Sequence, residues 1–452
     1  MDAQSYIGGY VAKARAAQAE LESYTQEQAD RLVREIAKTV YENAEELSGL
    51  AVSETGMGNV PDKIAKCRSK ASVIWNSLRG KPSVGVISRD PATGITKIAK
   101  PVGVVAALTP VTNPVVTPMS NAMFAVKCRN AVIVSPNHSA MRCSGRTVER
   151  IMERLRALGA PEHLIQVPAV HSRENTGALM AQADLVLATG GGAMVRAAYS
   201  SGTPAYGVGA GNVQCIIDRG ADLPHAVAEA VKGRAFDYGI LCTAEQSLIV
   251  PREQLPSVWD AVAAVGGAVL DDPSHISRLR DALFPGGAMN KALIGKSANA
   301  LAAEARLCVP AGTRVLAFPV DGTDDVLGGE KMFPALSVYT YDTFDEAVAI
   351  ARRNLARIGE GHSVCIHSQD RAHIEQAACA LHVSRVVVNQ CCALSGGGSF
   401  YNGLTPTNTL GCGTWGGNSL SENLGYFHLM NITRVADFMP GNHVPDGAEL
   451  WG

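Results

Sequence analysis

The chain is expected to fold as an α/β protein, with a doubly wound parallel sheet, a second α/β unit after it and small β-segments at the margins. Three observations predict this. From Gly103 onward, short and fully apolar runs alternate with helical stretches, the pattern left by parallel strands buried on both faces. Past about residue 236 the same alternation starts again. The chain also has 452 residues, 46% of them hydrophobic and 18% charged, which is more than one core organises, so two or three domains are expected.

Taken in order, the first eighty residues read as helical. Thr25-Gln-Glu-Gln28 has the form of a capping box, and Ala29, Leu32, Val33, Ile36, Ala37 and Val40 follow at helical spacing. Val84 to Ser88 and Ile95 to Ala99 flank the turn-rich Asp90-Pro-Ala-Thr-Gly94, which predicts a β-hairpin near 82–100. Strands of the first sheet are expected at Gly103 to Leu108, Ala131 to Ser135, Leu164 to Val167, Leu185 to Thr189 and Val213 to Ile217. Pro118 to Lys127, Gly145 to Leu158 and Glu174 to Gln182 supply crossover helices. A doubly wound, Rossmann-type sheet binds a nucleotide near the carboxyl ends of its strands. In the second unit Ser247 to Val250 and Val386 to Asn389 read as strands and Phe344 to Asn354 as a helix. Glycine-rich loops are expected at Ser395 to Phe400 and Gly411 to Gly417, and His428 to Val435 as an edge strand open to another subunit. The expected division is 1–235 for nucleotide binding, 236–425 around a reactive thiol, and 426–452 for oligomerisation.

Composition narrows the partners. Lys and Arg number 40 against 42 Asp and Glu, a formal charge of −2 without runs of one sign, so no nucleic acid is expected. Met1 to Tyr6 lacks the basic flank and apolar run of a signal peptide, and no apolar stretch approaches a membrane span, so the expectation is a cytoplasmic protein. Eleven cysteines occur without a Cys-x-x-Cys pair. No metal site is expected from them, and most read as buried free thiols.

One of these cysteines stands in Ile240-Leu-Cys-Thr-Ala-Glu-Gln246, close to the domain division, where clefts form. Together with Leu108-Thr-Pro-Val-Thr-Asn-Pro114, Leu187-Ala-Thr-Gly-Gly191 and Gly207-Val-Gly-Ala-Gly-Asn212, this segment resembles the aldehyde dehydrogenase superfamily. Ala198-Tyr-Ser-Ser-Gly202 and Leu410 to Gly417 look like its acylating, coenzyme A-dependent branch. The likeness spans nearly the whole chain. It implies that Cys242 is the nucleophile and that the Asn113 amide, with the Cys242 N–H, stabilises the oxyanion formed when the thiolate attacks an aldehyde. Hydrolytic relatives carry a glutamate where this chain has Gly207, so the acyl group is expected to leave to coenzyme A instead of water.

The resemblance also assigns the nucleotide, NAD or NADP. Thr109 and Pro110 follow the first strand, Ser135 and Pro136 border the adenosine ribose, Thr189, Gly190 and Gly191 offer backbone amides, Gly207 and Gly209 belong to the glycine loop, and Glu330 holds the nicotinamide ribose. His362 assists proton movement or contacts coenzyme A. Glu245 and Gln246 orient the loop of the thiol, and Tyr401, Cys391 and Cys392 are better placed in the core than in the pocket. Ala122-Met-Phe-Ala125, Asn113 to Pro118 and Glu449-Leu-Trp-Gly452 look most like coenzyme A-dependent succinate-semialdehyde dehydrogenases, with acylating sulfoacetaldehyde dehydrogenases close behind. Acetaldehyde, propanal and butanal stay open as substrates. An anionic aldehyde would call for a cationic site, with Arg385 as a candidate. A homodimer or homotetramer is expected. The competing readings are a hydrolytic aldehyde dehydrogenase and a non-catalytic structural relative.

Overall fold

The computed structural model describes residues 2–322 and 324–452. Four helices open the chain: α1 (Ala3–Leu21), α2 (Gln26–Glu42), α3 (Ala44–Thr55) and α4 (Val60–Leu78). At the start of α2 the Thr25 side chain accepts from the Gln28 N–H while the Gln28 side chain accepts from the Thr25 N–H. This satisfies two amides that a helix start leaves open. The six apolar residues predicted for its inner face are all buried, against α4, α5 (Val116–Lys127) and α6 (Met141–Arg156). The helices expected from Pro118 and Gly145 thus start slightly earlier, because proline is tolerated in a first turn and one glycine does not break a packed helix. α7 (Arg173–Gln182), α8 (Gly192–Tyr199) and α9 (Leu223–Ala235) follow.

Fifteen strands form three sheets among the described residues. β1 (Gly85–Asp90) and β2 (Ile95–Pro101) are the predicted hairpin, and they are joined by β15 (Met430–Ala436), antiparallel to β2. A five-stranded parallel sheet has the order β5-β4-β3-β6-β7, from β3 (Val104–Thr109), β4 (Ala131–Pro136), β5 (Ile165–Gln166), β6 (Leu185–Thr189) and β7 (Ala205–Val208). The chain runs outward from β3 to β5, then returns to β6, so the direction of winding reverses between β3 and β6. That is where a doubly wound sheet opens a crevice.

The third sheet is parallel with the order β10-β11-β12-β9-β8-β13-β14. Its strands are β8 (Val213–Ile217), β9 (Glu245–Pro251), β10 (Ala268–Val269), β11 (Leu316–Pro319), β12 (Ala335–Tyr341), β13 (Gly361–His367) and β14 (Val383–Val388). Val213–Ile217 therefore does not close the first sheet as expected; β7 takes that edge. A buried apolar run looks the same in either sheet, while Ala205-Tyr-Gly-Val is short and interrupted by glycine, so the pattern pointed to the wrong strand. The crossing between sheets falls at 209–212, ahead of the expected division after residue 235.

Alternation along the strands divides the second unit's core. Ile216, Ile249, Phe318, Tyr339 and Ile366 pack on one face of the seven-stranded sheet, and Ile217, Leu248, Val250, Ala317 and Val338 on the other. The opening helices and the five-stranded sheet share a separate core that includes Ile36, Ile74, Ala106, Phe124 and Leu187. No helix of the described residues is long and apolar enough to cross a membrane.

Candidate active site

The carboxyl ends of the five-stranded sheet face the amino ends of the seven-stranded sheet. Between them lies a cavity of about 280 Å³. The first sheet contributes Pro110 and Asn113 after β3, Thr189 to Gly192 from the last residue of β6 onward, and Val208 to Ala210 from the last residue of β7 onward; the second contributes Cys242 ahead of β9, Glu330 ahead of β12 and His362 at the start of β13. A second cavity of about 180 Å³ lies against the same thiol. Asn113, Leu241, Cys242, Asn408 and Leu410 line both.

The loop that carries Cys242 is fixed by an unusual backbone. Asp237 and Tyr238 have φ of 50° and 53°, and left-handed backbone at non-glycine residues costs roughly 1–2 kcal/mol each. Buried ion pairs hold the turn against that cost: the Asp237 carboxylate accepts from Lys63 Nζ at 2.9 Å and Lys66 Nζ at 2.7 Å, while its N–H donates to Asp62 at 2.8 Å. On the other side, Gly211 lets the glycine loop touch the thiol's backbone, since a Cβ there would lie 2.0 Å from the Cys242 carbonyl oxygen.

Lys66 also sets the orientation of Asn113. Its ammonium donates to Asn113 Oδ1 at 2.9 Å, and an ammonium cannot accept, so the oxygen must face Lys66; Nδ2 makes one long donation, to Thr112 Oγ1 at 3.4 Å, and has its second N–H left for the pocket. Burial pushes the Cys242 thiol up to about 12, with the Glu330 charge adding to the shift. Glu330 is the one carboxylate lining either cavity among the described residues, and burial pushes it up to about 7 although the Gly211 N–H opposes the shift. His362 is buried and its Nδ1 has no partner among the described residues. Burial and the Arg385 charge pull it down to about 3, so its imidazole is neutral and weakly basic.

The predicted residues thus fall into two groups. Cys242, Asn113, His362, Pro110, Thr189, Gly190, Gly191, Gly209 and Glu330 meet at the larger cavity. Thr109 is buried beneath it. Ser135 and Pro136 line a separate crevice with Thr176 further along the same sheet edge. Gly207 is not brought to the cavity: it lies in β7, donates its N–H to Tyr199 at 2.8 Å, and a Cβ there would meet Val195 Cγ1 at 2.6 Å. The lack of an acid in this loop is better read from the residues that do face the cavity, Val208, Gly209 and Ala210. Glu245 turns away onto the Cys392 N–H at 2.5 Å, and Gln246 pins the neighbouring loop through Lys331 N–H at 2.9 Å. Cys391 and Cys392 are core residues, whereas Tyr401 is exposed.

Arg385 does not line either cavity. It donates to Ser363, Asn423 and the carbonyls of His362 and Gly411 at 2.7–3.0 Å, which makes it a brace behind His362. The lysines that line the smaller cavity are Lys66 and Lys70, which sequence reasoning missed. Their signal was present: Lys63, Lys66 and Lys70 share the helical stripe of Cys67 and Ile74, where apolar residues belong.

The nicotinamide-ribose and phosphate part of a dinucleotide suits the larger cavity on two observations. α8 begins at Gly192 with no side chain capping its first amides, which suits a phosphate, and Glu330 faces the same space with a carboxylate able to accept from hydroxyls.

Comparison with known proteins agrees with this arrangement. Residues 3–272 match the model of the aldehyde dehydrogenase family. The chain is 48% identical to the succinate-semialdehyde dehydrogenase (acetylating) of Clostridium kluyveri over 98% of each chain. It is 42% identical to the sulfoacetaldehyde dehydrogenase (acylating) of Cupriavidus necator, over 99% of this chain and 92% of that one. The crystal structure of an acetylating aldehyde dehydrogenase from Geobacillus thermoglucosidasius superposes with a TM-score of 0.94 at 35% identity, covering 98% of both chains.

Proposed function

The chain belongs to the aldehyde dehydrogenase family and is an acylating aldehyde dehydrogenase; from that premise we propose that its substrate is a short aldehyde with an anionic end. Succinate semialdehyde is the first choice and sulfoacetaldehyde the second. The reaction joins aldehyde, coenzyme A and NAD or NADP to give acyl-CoA, reduced cofactor and a proton. The observation that carries the reading is the position of Cys242 between two cavities, one suited to the nicotinamide-ribose and phosphate part of a dinucleotide and the other lined by two lysines and no carboxylate.

Cys242 attacks the aldehyde carbonyl once its proton has left. Burial pushes the thiol up to about 12, so its proton must leave before attack, and His362, pulled down to about 3, is a poor acceptor for it. Asn113 Nδ2 and the Cys242 N–H then face the new oxyanion, with Lys66 keeping the amide in register. Thr189, Gly190, Gly191 and Glu330 would hold the nicotinamide cofactor, which would supply the acceptor for the hydride that leaves the substrate carbon. Cys242 is left carrying the acyl group as a thioester. The loop of Val208, Gly209 and Ala210 offers no acid to activate water, so the acyl group persists until the thiol of coenzyme A takes it. Exchange between thioesters is nearly balanced, which makes the reaction reversible.

Eleven thiols without a disulfide suit a reducing compartment, in keeping with a cytoplasmic enzyme. The outer edge of β15 and a tail exposing Phe438, Val444 and Trp451 support assembly into a homodimer or homotetramer, which light scattering would measure.

The deciding experiment supplies an aldehyde panel and NAD or NADP with and without coenzyme A. Cofactor reduction that requires coenzyme A, fastest with an anionic aldehyde, is expected. Free acid formed without coenzyme A would return the hydrolytic reading, and silence across the panel the non-catalytic one.

A further inference from the structure

The smaller cavity carries a charge that the chemistry at the thiol does not use. α4 presents Ala65, Lys66, Ser69 and Lys70 to it, residues that share one helical face. The two lysines differ in what holds them. Lys66 engages all three of its donors, with Asp237 at 2.7 Å, Asn113 at 2.9 Å and, more distantly, the Thr112 carbonyl at 3.5 Å. Lys70 donates only to the carbonyls of Gly397 at 3.0 Å and Thr407 at 3.3 Å. No carboxylate pairs with it among the described residues, and the charges that act on it are those of Cys242 and Lys66.

An ammonium has three N–H donors, so one of Lys70's is left for an acceptor from outside the protein. The site is shaped around that ammonium. A Cβ at Gly397 would fall 2.8 Å from Lys70 Nζ, so glycine there makes room for it. The remaining lining includes Phe236, Leu241, Ala393 and Leu394 and holds no acid. A cation without a counter-ion in such surroundings is costly, and burial pulls Lys70 down to about 8. An anion entering the cavity relieves that cost.

Building on the acylating reaction at Cys242, we infer that Lys70 recognises the anionic end of the substrate: its open N–H binds the carboxylate or sulfonate of an aldehyde whose carbonyl lies at the thiol. Lys66, whose three donors are engaged by Asp237, Asn113 and the Thr112 carbonyl, positions Asn113 and takes no share in this contact. With the thiol as one limit and the ammonium as another, a space of about 180 Å³ is smaller than the roughly 300 Å³ at which pockets for drug-sized ligands begin. It admits a short chain.

The test compares wild type, Lys70→Gln and Lys70→Arg, each with coenzyme A and cofactor, on succinate semialdehyde, sulfoacetaldehyde and neutral butanal. Lys70→Gln is expected to lower the preference for the anionic aldehydes, taken as the ratio of kcat/KM to that for butanal, by roughly 10- to 100-fold, mostly through KM. Lys70→Arg should restore part of it. The anion that loses more identifies the natural end group. An equal loss on all three aldehydes would place Lys70's charge on the thiol instead of the substrate and overturn the inference, as would no loss. A wild type that prefers butanal sinks the anionic-substrate reading itself, a separate outcome visible before any variant is made. Should Lys70→Gln not fold, the wild type still decides: succinate is expected to slow alkylation of Cys242 by iodoacetamide several-fold more than succinamide at the same concentration, and equal protection overturns the assignment.

Discussion

The two parallel sheets approach the cleft with opposite ends of their strands. The five-stranded sheet offers carboxyl ends, where β3 and β6 finish at Thr109 and Thr189 and the uncapped start of α8 follows. The seven-stranded sheet offers amino ends, with Cys242 three residues ahead of Glu245 at the start of β9 and Glu330 five ahead of Ala335 at the start of β12. The difference teaches that the two edges do different work. A carboxyl edge leads into helix N-termini and supplies amides for phosphate. At this amino edge the reactive groups sit in entering loops, and their placement depends on what packs against those loops: Asp237 with Lys63 and Lys66 on one side, Gly211 on the other.

The sharpest way to break this comparison is Cys242→Ala. Aldehyde oxidation should fall by roughly 10⁴-fold or more, while binding of NAD or NADP, followed by fluorescence titration, stays within about twofold. Lost nucleotide binding would mean that the two edges are not separate in function. Asn113→Ala comes next, with kcat lowered roughly 10²- to 10³-fold as for other oxyanion donors and nucleotide binding again kept. Lys66→Met should cost less, roughly tenfold in kcat, because it frees the Asn113 amide to turn while Lys63 still holds Asp237. If Lys66→Met has no effect on kcat but lowers Tm, the lysine only supports the turn.

Much of this was legible because the signals are local or carried by the family's motifs. The capping box at Thr25, the hairpin around Asp90 to Gly94 and the apolar runs of β3, β4 and β6 depend on short-range pattern, and Cys242, Asn113 and Glu330 stand in motifs. The sheet membership of Val213–Ile217 was not legible, because an all-buried strand reads alike in any parallel sheet. Gly207 shows a different failure. Its place in the motif matched that of a catalytic acid, yet β7 turns it toward Val195 and Tyr199, and a motif position does not state which face of the strand it occupies. Lys66 and Lys70 stand in no motif, and within the first eighty residues only the apolar face after Thr25 gave a periodic signal, so nothing drew attention to the charged positions of α4. Charged residues on an apolar helical stripe are better taken as evidence of a buried polar site.

The smallest effect separates the two cavities by pH. Burial holds Glu330 near 7 on the cofactor side, so it is ionised above that value and neutral below it. An ionised carboxylate accepts from ribose hydroxyls more strongly than a neutral one, so cofactor affinity should fall as pH drops through 7, by roughly tenfold. Glu330→Gln should flatten this acid limb and leave weak, pH-independent binding. On the substrate side Lys70 loses its proton near 8, so preference for an anionic aldehyde should fall as pH rises through 8, and Lys70→Gln should flatten that alkaline limb. The limbs run in opposite directions because a carboxylate is useful once its proton has gone and an ammonium only while it keeps one. Measuring KM for cofactor and for aldehyde from pH 6 to about 9 resolves them. If each variant flattens only its own limb, the thiol divides two independent sites; if either flattens both, Glu330 and Lys70 titrate as one network through Cys242 and the division drawn here is wrong.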